Sequence, residues 1–431
     1  MTYAAAVAYL YKLQKHGIKL GLETMTALVA RLGDPHRRYR VLHVGGTNGK
    51  GSTAAMTAAI LEAAGYRVGL YTSPHLVEFR ERIRVNGEMI GEAAVARLTD
   101  RVKESCEPDL SPTFFECATA MAFQYFAEAQ VDVAVLEVGL GGRFDATNVV
   151  MPLACGITTI ALDHQEYLGT TPALIAFEKA GIIKADVPVV IGRIDGEARR
   201  VIEEVAKERS APLSRLGREF VAAGESPDRF SYAGRYWRFD GLRCSLQGAH
   251  QLDNAACAVA LLEAAGPGSL TISEQAVREG LRMVSWEGRL EIIDRRPTVV
   301  LDGAHNPAAA SAVAAYLRSF RCSDPTRRIV LVLGMMRDKD HRGFMAPLKD
   351  LVDDVVLTQA ELPRSATVRE LEAELRDSGV RLHASPVLNE ALGLAKRLAG
   401  PDDLICVTGS LMLVGDLKAL VRGCGLSPLR G

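Results

Sequence analysis

Gly45-Gly46-Thr47-Asn48-Gly49-Lys50-Gly51-Ser52-Thr53 follows the apolar run VLHV (41–44) and precedes a helical pattern. A strand–glycine loop–helix unit aims several backbone N–H groups at one point, and the helix N-terminus adds a field that favours anions. Glycine lets the main chain approach a phosphate closely. Lys50 can reach the outer phosphates of a nucleotide, and Ser52 and Thr53 offer hydroxyls to phosphate or metal. The spacing departs from G-x-x-x-x-G-K-[ST]: Val44 stands where the first glycine belongs, and Gly51 separates Lys50 from Ser52. The alternative is an ordinary glycine-rich turn before a helix.

Other polar residues fall where further apolar runs end. Ser73-Pro74-His75 follows VGLYT, Glu137 follows VDVAVL ahead of Gly139, Gly141, Gly142, Arg143 and Asp145, and Asp163-His164 follows ACGITTIAL. In an open α/β sheet, ligands sit beyond the carboxyl ends of the strands. Magnesium takes oxygen ligands and needs only one or two carboxylates beside phosphate and water. Glu137 is therefore the first metal candidate, with a helix cap or salt bridge as its plainer role, and His164 is a second candidate by position. In ALIAFEKAGIIK, Lys179 reads as a snorkelling lysine. A lysine near bound cations, however, has a lowered pKa, and its neutral amine can take up carbon dioxide to become a carbamate ligand. Downstream, Asp302 ends TVVLD and leads into Gly303-Ala304-His305-Asn306-Pro307, with a similar layout in Gly334-Met335-Met336-Arg337-Asp338-Lys339-Asp340. Pro307 suits a first helical turn, so His305 and Asn306 belong to a strand–helix loop. Plain turn chemistry explains either loop as well.

The elements needed to position these residues are legible as alternating short apolar runs and helical patterns, the mark of parallel α/β sheets. The predicted strands are 41–44, 68–73, 131–139, 154–162 and 187–192, then 298–304, 328–334, 354–359 and 403–410. Helices are predicted over 51–64, 113–129 and 172–183, and the stretch from 210 to 250 reads as short antiparallel hairpins. A charged, proline-ended break at Asp294-Arg295-Arg296-Pro297 divides the two series into domains 1–294 and 295–431. A polar edge of the second facing the phosphate loop of the first would make the cleft between them the active site.

Composition narrows the class. Lys and Arg (51) nearly balance Asp and Glu (52), without a one-signed block, which argues against nucleic-acid and membrane-surface partners. The longest uncharged stretch, 146–162, holds Asn148 and Pro152 and falls short of the roughly 20 apolar residues of a membrane span. The first residues lack a basic region ahead of their apolar run, so a secretory signal is not expected. Eight cysteines without a C-x-x-C pair read as reduced thiols of a cytoplasmic protein.

Taken in order, GTNGKGST (46–53), YTSPHL (71–76), LEVGLGGRFDATN (136–148), DHQEYLG (163–169), EKAGIIK (178–184), HQLDNA (250–255), WEGRLE (286–291), LDGAHNP (301–307), GMMRDKD (334–340) and GSLMLVGDL (409–417) resemble the folylpolyglutamate synthase/dihydrofolate synthase family of the Mur-ligase superfamily. The resemblance implies an N-terminal P-loop ATPase-like domain with a parallel sheet and a smaller antiparallel portion, and a C-terminal Rossmann-like domain. It implies ATP-dependent addition of L-glutamate to dihydropteroate, or to the γ-carboxylate of a folate, through an acyl phosphate. Thr47, Asn48, Gly49, Lys50, Gly51, Ser52, Asn254, Arg289 and Asp302 would hold ATP, with His305 beside it. Ser73, Glu137 and His164 would bind magnesium, and Lys179, as a carbamate, would serve a second ion. Lys50, Lys179 and His305 would be the catalytic set. The pterin would lie near Thr113, Phe114, Phe115, Glu116, Phe144, Asp145 and Ala146, since an aromatic face with a carboxylate suits a ring that stacks and donates N–H groups. The family also implies a monomer and an assisting monovalent cation. Three positions depart from it: Glu287 where proline is expected, Met412 where tyrosine is usual, and Thr24 where arginine is common. The competing readings are a related ligase acting on another carboxylate, such as a peptidoglycan precursor, and a nucleotide-binding regulator without catalysis. Against the regulator stands the presence together of Glu137, His164, Lys179 and His305.

Overall fold

A computed structural model describes residues 1–13, 17, 19, 21–266 and 268–424. They form two compact units. Of the described residues, those within 1–75, 79–245 and 251–284 make up the first, and those within 76–78, 246–250 and 285–424 the second.

The first unit is built on an eight-stranded sheet of β1 (Arg40–Gly45), β2 (Val68–Tyr71), β3 (Ile83–Val85), β4 (Glu88–Met89), β5 (Val133–Glu137), β6 (Ala154–Ile157), β7 (Val189–Ile191) and β8 (Leu213–Arg215). Their spatial order is β4-β3-β2-β5-β1-β6-β7-β8. The six strands from β2 to β8 run parallel, and β3 and β4 add an antiparallel edge. The parallel strands are nearly all apolar because they are buried on both faces. A separate antiparallel sheet of β9 (Val221–Ser226), β10 (Arg229–Ala233) and β11 (Arg238–Leu242) accounts for the predicted hairpins.

The chain leaves β1 toward β2 on one side and leaves β6 toward β7 on the other, so the order of connections reverses between β1 and β6. Loops part at such a point and open a crevice. Register keeps the relevant ends level: Val44 pairs with Glu137 on one side and Gly156 on the other. The strand expected to run to 162 stops at Ile157, because Thr158 and Thr159 turn away to bond the glycine loop.

The second unit carries β12 (Glu291–Arg295), β13 (Thr298–Leu301), β14 (Ile329–Leu333), β15 (Asp354–Leu357), β16 (Arg381–Ala384) and β17 (Leu404–Thr408), in the order β12-β13-β17-β14-β15-β16. All pairs are parallel except the β12–β13 hairpin. The charged break at 294–297 is the turn of that hairpin, inside the second unit. Ladder bonds from Glu291 to Arg295 hold it, and the chain passes between units at Val284–Ser285 instead. Among the described residues no helix is long and apolar enough to cross a membrane.

Candidate active site

The glycine loop leaves β1 and enters the helix Lys50–Ala63 at Gly49, whose φ of 86° lies in the left-handed region. A Cβ there would stand 2.3 Å from Asn254 Oδ1, so only glycine admits this approach. Gly46, at φ 137°, is equally constrained, since a Cβ would fall 2.0 Å from Thr158 Oγ1. The Thr47 amide donates to Thr159 O (2.8 Å) and the Asn48 amide to Thr159 Oγ1 (3.0 Å). The loop's first half is therefore pinned to the β6 loop, which leaves anion binding to the helix end. There the first amides of the helix have no acceptor within it, as at any helix start. Lys50 Nζ folds back onto Thr47 O at 3.0 Å. Asn254, on the helix His250–Ala264, donates to Gln251 Oε1 (2.9 Å), and Gln251 in turn donates to Ser52 Oγ (3.3 Å). Gln251 escaped the sequence reading, although one helical turn before Asn254 places it on the same face.

Lys179 is 5% exposed, and its Nζ donates to Gly46 O at 2.9 Å. Burial, with Lys50 nearby, pushes its amine down to about 7 from an ordinary 10.5, while Asp163 and Asp145 oppose the shift. Glu137 is buried at the end of β5, and the Ser73 amide donates to its Oε2 at 3.0 Å. His164 stands apart from this pair in character. It is a left-handed residue (φ 49°) whose side chain is 46% exposed and lies 3.9 Å from Asp163.

Among the described residues no three His, Cys, Asp or Glu side chains converge as a metal group. A magnesium site completed by phosphate and water needs only a carboxylate or two, which Glu137 supplies. Thr53 Oγ1, buried in the first turn of the helix, has no hydrogen-bond partner among the described residues and adds a hard oxygen beside the loop. These residues fit a magnesium–phosphate group.

Thr113 and Glu116 form a capping box on the helix Phe114–Glu128: the Thr113 amide donates to Glu116 Oε2 (2.7 Å) and the Glu116 amide to Thr113 Oγ1 (3.2 Å). The T-x-x-E spacing was the overlooked signal. Asp145 accepts from the amides of Gly139 (3.0 Å), Leu140 (2.8 Å) and Thr147 (3.0 Å), and from the Thr147 hydroxyl. It thereby shapes the loop that presents Phe144 and Ala146, and burial pushes its carboxyl up against those hydrogen bonds. Phe114 stacks on Tyr11 at 5.2 Å with Arg82 over its ring at 5.1 Å, while Phe115 lies 6.0 Å from Tyr71. Behind them Arg82 donates to His75 Nδ1 (2.8 Å), so the His75 proton sits on Nε2 and donates to Tyr11 Oη (2.9 Å). Sequence alone did not expose this buried network, because its members are far apart in the chain.

In the second unit the loops after β13, β14 and β17 abut: the Gly409 amide donates to Ala304 O (3.0 Å) and the Gly334 amide to Thr408 O (3.3 Å). Asp302 accepts from the Leu290 amide (2.9 Å) and the Ala304 amide (2.8 Å), which ties Arg289 to the same loop. His305 Nδ1 bonds Gly303 O at 2.9 Å, and Asn306 caps the helix Pro307–Ser323. Glu287 is accommodated by ion pairs with Lys418 (3.3 Å) and Arg422, and Met412 packs in the core.

The family models for the Mur ligase middle domain and the Mur ligase glutamate ligase domain match residues 44–262 and 288–411. The Bacillus subtilis dihydrofolate synthase/folylpolyglutamate synthase is 36% identical, over 97% of this chain and 99% of its own. An Escherichia coli FolC structure in complex with DHPP and ADP superposes with a TM-score of 0.90, at 36% identity and 98% coverage of each chain. A Yersinia pestis bifunctional folylpolyglutamate synthase/dihydrofolate synthase, complexed with AMPPNP and a Mn ion, gives 0.89 at 33% identity, again over 98% of each. A longer relative from Haloferax volcanii, a probable bifunctional folylpolyglutamate synthase/dihydropteroate synthase, is 39% identical, and this chain spans 50% of its length. With both domain models matched and the Bacillus subtilis relative alike over 99% of its length, the chain belongs to the dihydrofolate synthase/folylpolyglutamate synthase family of Mur ligases.

Proposed function

We propose that the protein is an ATP-dependent ligase that joins L-glutamate to dihydropteroate and to the γ-carboxylate of folates. The acceptor carboxylate attacks the γ-phosphorus of ATP and ADP departs; the α-amine of glutamate then attacks the acyl carbon and phosphate departs. A carboxylate is a poor acyl donor, and phosphorylation supplies its leaving group. The observation that carries this reading is Lys179, buried against the carbonyl of Gly46 with an amine pushed down to about 7. A lysine serving only solubility has no reason to be desolvated beside a phosphate loop.

Each residue has a task. The helix-start amides at Gly51 and Ser52 hold phosphate oxygens, Thr47, Asn48 and Gly49 shape the loop that surrounds them, and Lys50 neutralises charge as the γ-phosphoryl moves. Asn254, Arg289 and Asp302 are further ATP contacts, with His305 beside the nucleotide. Ser73, Glu137 and His164 are assigned to magnesium, which when bound would polarise the phosphate oxygens. The neutral amine of Lys179 forms an N–C bond to carbon dioxide and releases one proton, leaving an anionic carbamate suited to a second ion. Phe114, Phe115, Phe144 and Ala146 present a face for the pterin, with Thr113, Glu116 and Asp145 shaping it. A monovalent cation assists, and the enzyme acts as a cytoplasmic monomer. The unit that ends at Val284, rather than residues 1–294, is assigned ATP and acceptor binding, and the unit from Ser285, rather than 295–431, glutamate ligation.

Purified protein with ATP, Mg²⁺, glutamate and a panel of acceptors tests the reading. Dihydropteroate or a reduced folate should support glutamate-dependent ADP release. No release with either acceptor, or release only with a peptidoglycan precursor, would overturn it.

A further inference from the structure

We propose that Arg143 is a positioning residue for Lys179, acting through Glu178 to keep the Lys179 amine aimed at the phosphate loop. The inference deepens the carbamate reading above and rests on it.

Lys179 is held from both sides by the loop that follows β5. On its N-terminal side, the Arg143 amide donates to Glu178 O (2.8 Å), and the guanidinium grips the carboxylate through Nη2–Oε1 (2.6 Å) and Nε–Oε2 (3.3 Å). The same guanidinium lies over the rings of Phe144 (4.3 Å) and Phe177 (5.0 Å). On its C-terminal side, Asn148 Nδ2 donates to Arg143 O and Gly181 O, each at 3.0 Å. Backbone meets backbone between these points. A Cβ on Gly142 would sit 2.9 Å from both Glu178 O and Lys179 O, and one on Gly181 would sit 2.3 Å from Arg143 Cβ.

Successive residues of a helix point about 100° apart. With Glu178 clamped toward the loop, Lys179 is directed to Gly46 O, and a slip of the helix Pro172–Ala180 would carry its amine away. The Arg143–Glu178 pair is partly exposed and by itself contributes little stability. Its planar, two-pronged geometry instead supplies direction, which lysine at 143 cannot reproduce. Carbamate formation adds carbon dioxide to the amine nitrogen and releases a proton, so its occupancy reports whether the amine is held where the adduct is stabilised.

The test uses the full-length enzyme and the variants Glu178→Gln, Arg143→Lys and Arg143→Met, with ¹³C-bicarbonate and NMR detection of the lysine carbamate. At ambient bicarbonate the variants should show a severalfold smaller carbamate signal and a kcat lower by about tenfold, with the KM for ATP within about twofold of wild type. Excess bicarbonate should restore both signal and kcat, and Arg143→Met/Glu178→Gln should be no worse than the worse single variant. Near-isosteric Glu178→Gln guards against misfolding. Wild-type carbamate with unchanged occupancy and kcat in the variants overturns the positioning role alone. Loss that bicarbonate does not restore, accompanied by a lower melting temperature, also overturns it in favour of a structural role. No carbamate in the wild type overturns the underlying reading and this role with it.

Discussion

Two lysines show how one residue type is put to two uses. Lys50 stands at a helix start with its Nζ on Thr47 O, placed to reach phosphate. Lys50→Ala should lower kcat/KM for ATP about a hundredfold, the scale for one charge-stabilising donor, and initial-rate kinetics against ATP check it. Lys179 is desolvated, and the consequence is a pH dependence with a definite sign. Its amine titrates near 7 in the folded chain and near its ordinary 10.5 when unfolded, so the unfolded state holds the extra proton across that window. The stability linked to Lys179 is complete above the upper value and is lost as pH falls to about 7. In carbon-dioxide-free buffer, Lys179→Met should therefore gain most over wild type at and below neutral pH. That gain should shrink steadily on the alkaline side in thermal melts recorded across pH. A gain that does not vary with pH would show that the amine is not desolvated.

Capping decides matters at the scale of helices. The Thr113–Glu116 box fixes where the helix Phe114–Glu128 begins, and so where Phe114 and Phe115 stand. Thr113→Ala should cost about 1 kcal/mol and raise the KM for acceptor severalfold without changing that for ATP; denaturant titration and two-substrate kinetics measure the two effects. In the second unit the helix Leu411–Arg422 carries buried Lys418, paired with Glu291 (2.5 Å) and Glu287 (3.3 Å). Glu291→Gln should cost about 2 kcal/mol, because it removes the nearer partner of a buried charge. Glu287→Gln should cost under about 1 kcal/mol, since Glu287 and its other partner, Arg422, are both partly exposed. Equal costs in denaturant melts would refute that ranking. The departure at Glu287 is thus absorbed by local ion pairing and leaves the site residues untouched.

For the whole chain, a ligand that binds only the folded state raises its stability by mass action. AMPPNP with Mg²⁺ at about a hundred times its Kd should stabilise the wild type by about 2.7 kcal/mol. Chelating the metal with EDTA should abolish most of that shift and all turnover, and Lys50→Ala should shift little. An undiminished AMPPNP shift in EDTA would deny the metal a part in nucleotide binding. The strand order gives these effects a common origin: the reversal of connections between β1 and β6 opens the crevice that the glycine loop and the Thr158–Thr159 turn line together.

By itself the sequence determined the alternation of strands and helices, the glycine loop and the strand-end positions of Glu137 and Asp302, because apolar periodicity and the special torsions of glycine are local properties; His164, expected at a strand end, instead precedes the helix Gln165–Leu168, well past the end of β6. It misplaced the end of β6 and took the β12–β13 turn for a domain boundary, since Thr158 and Thr159 bond the distant glycine loop and β13 is fixed by pairing with β17. Only the tertiary structure decided that Lys179 is desolvated, that Asp145 and Glu116 are committed to loop and cap bonds, and that Arg143 grips Glu178. The Glu116 and Asp145 bonds are local but compete with other roles for a carboxylate, whereas burial of Lys179 against Gly46 and the Arg143–Glu178 pairing join residues far apart in the chain and depend on which elements pack together.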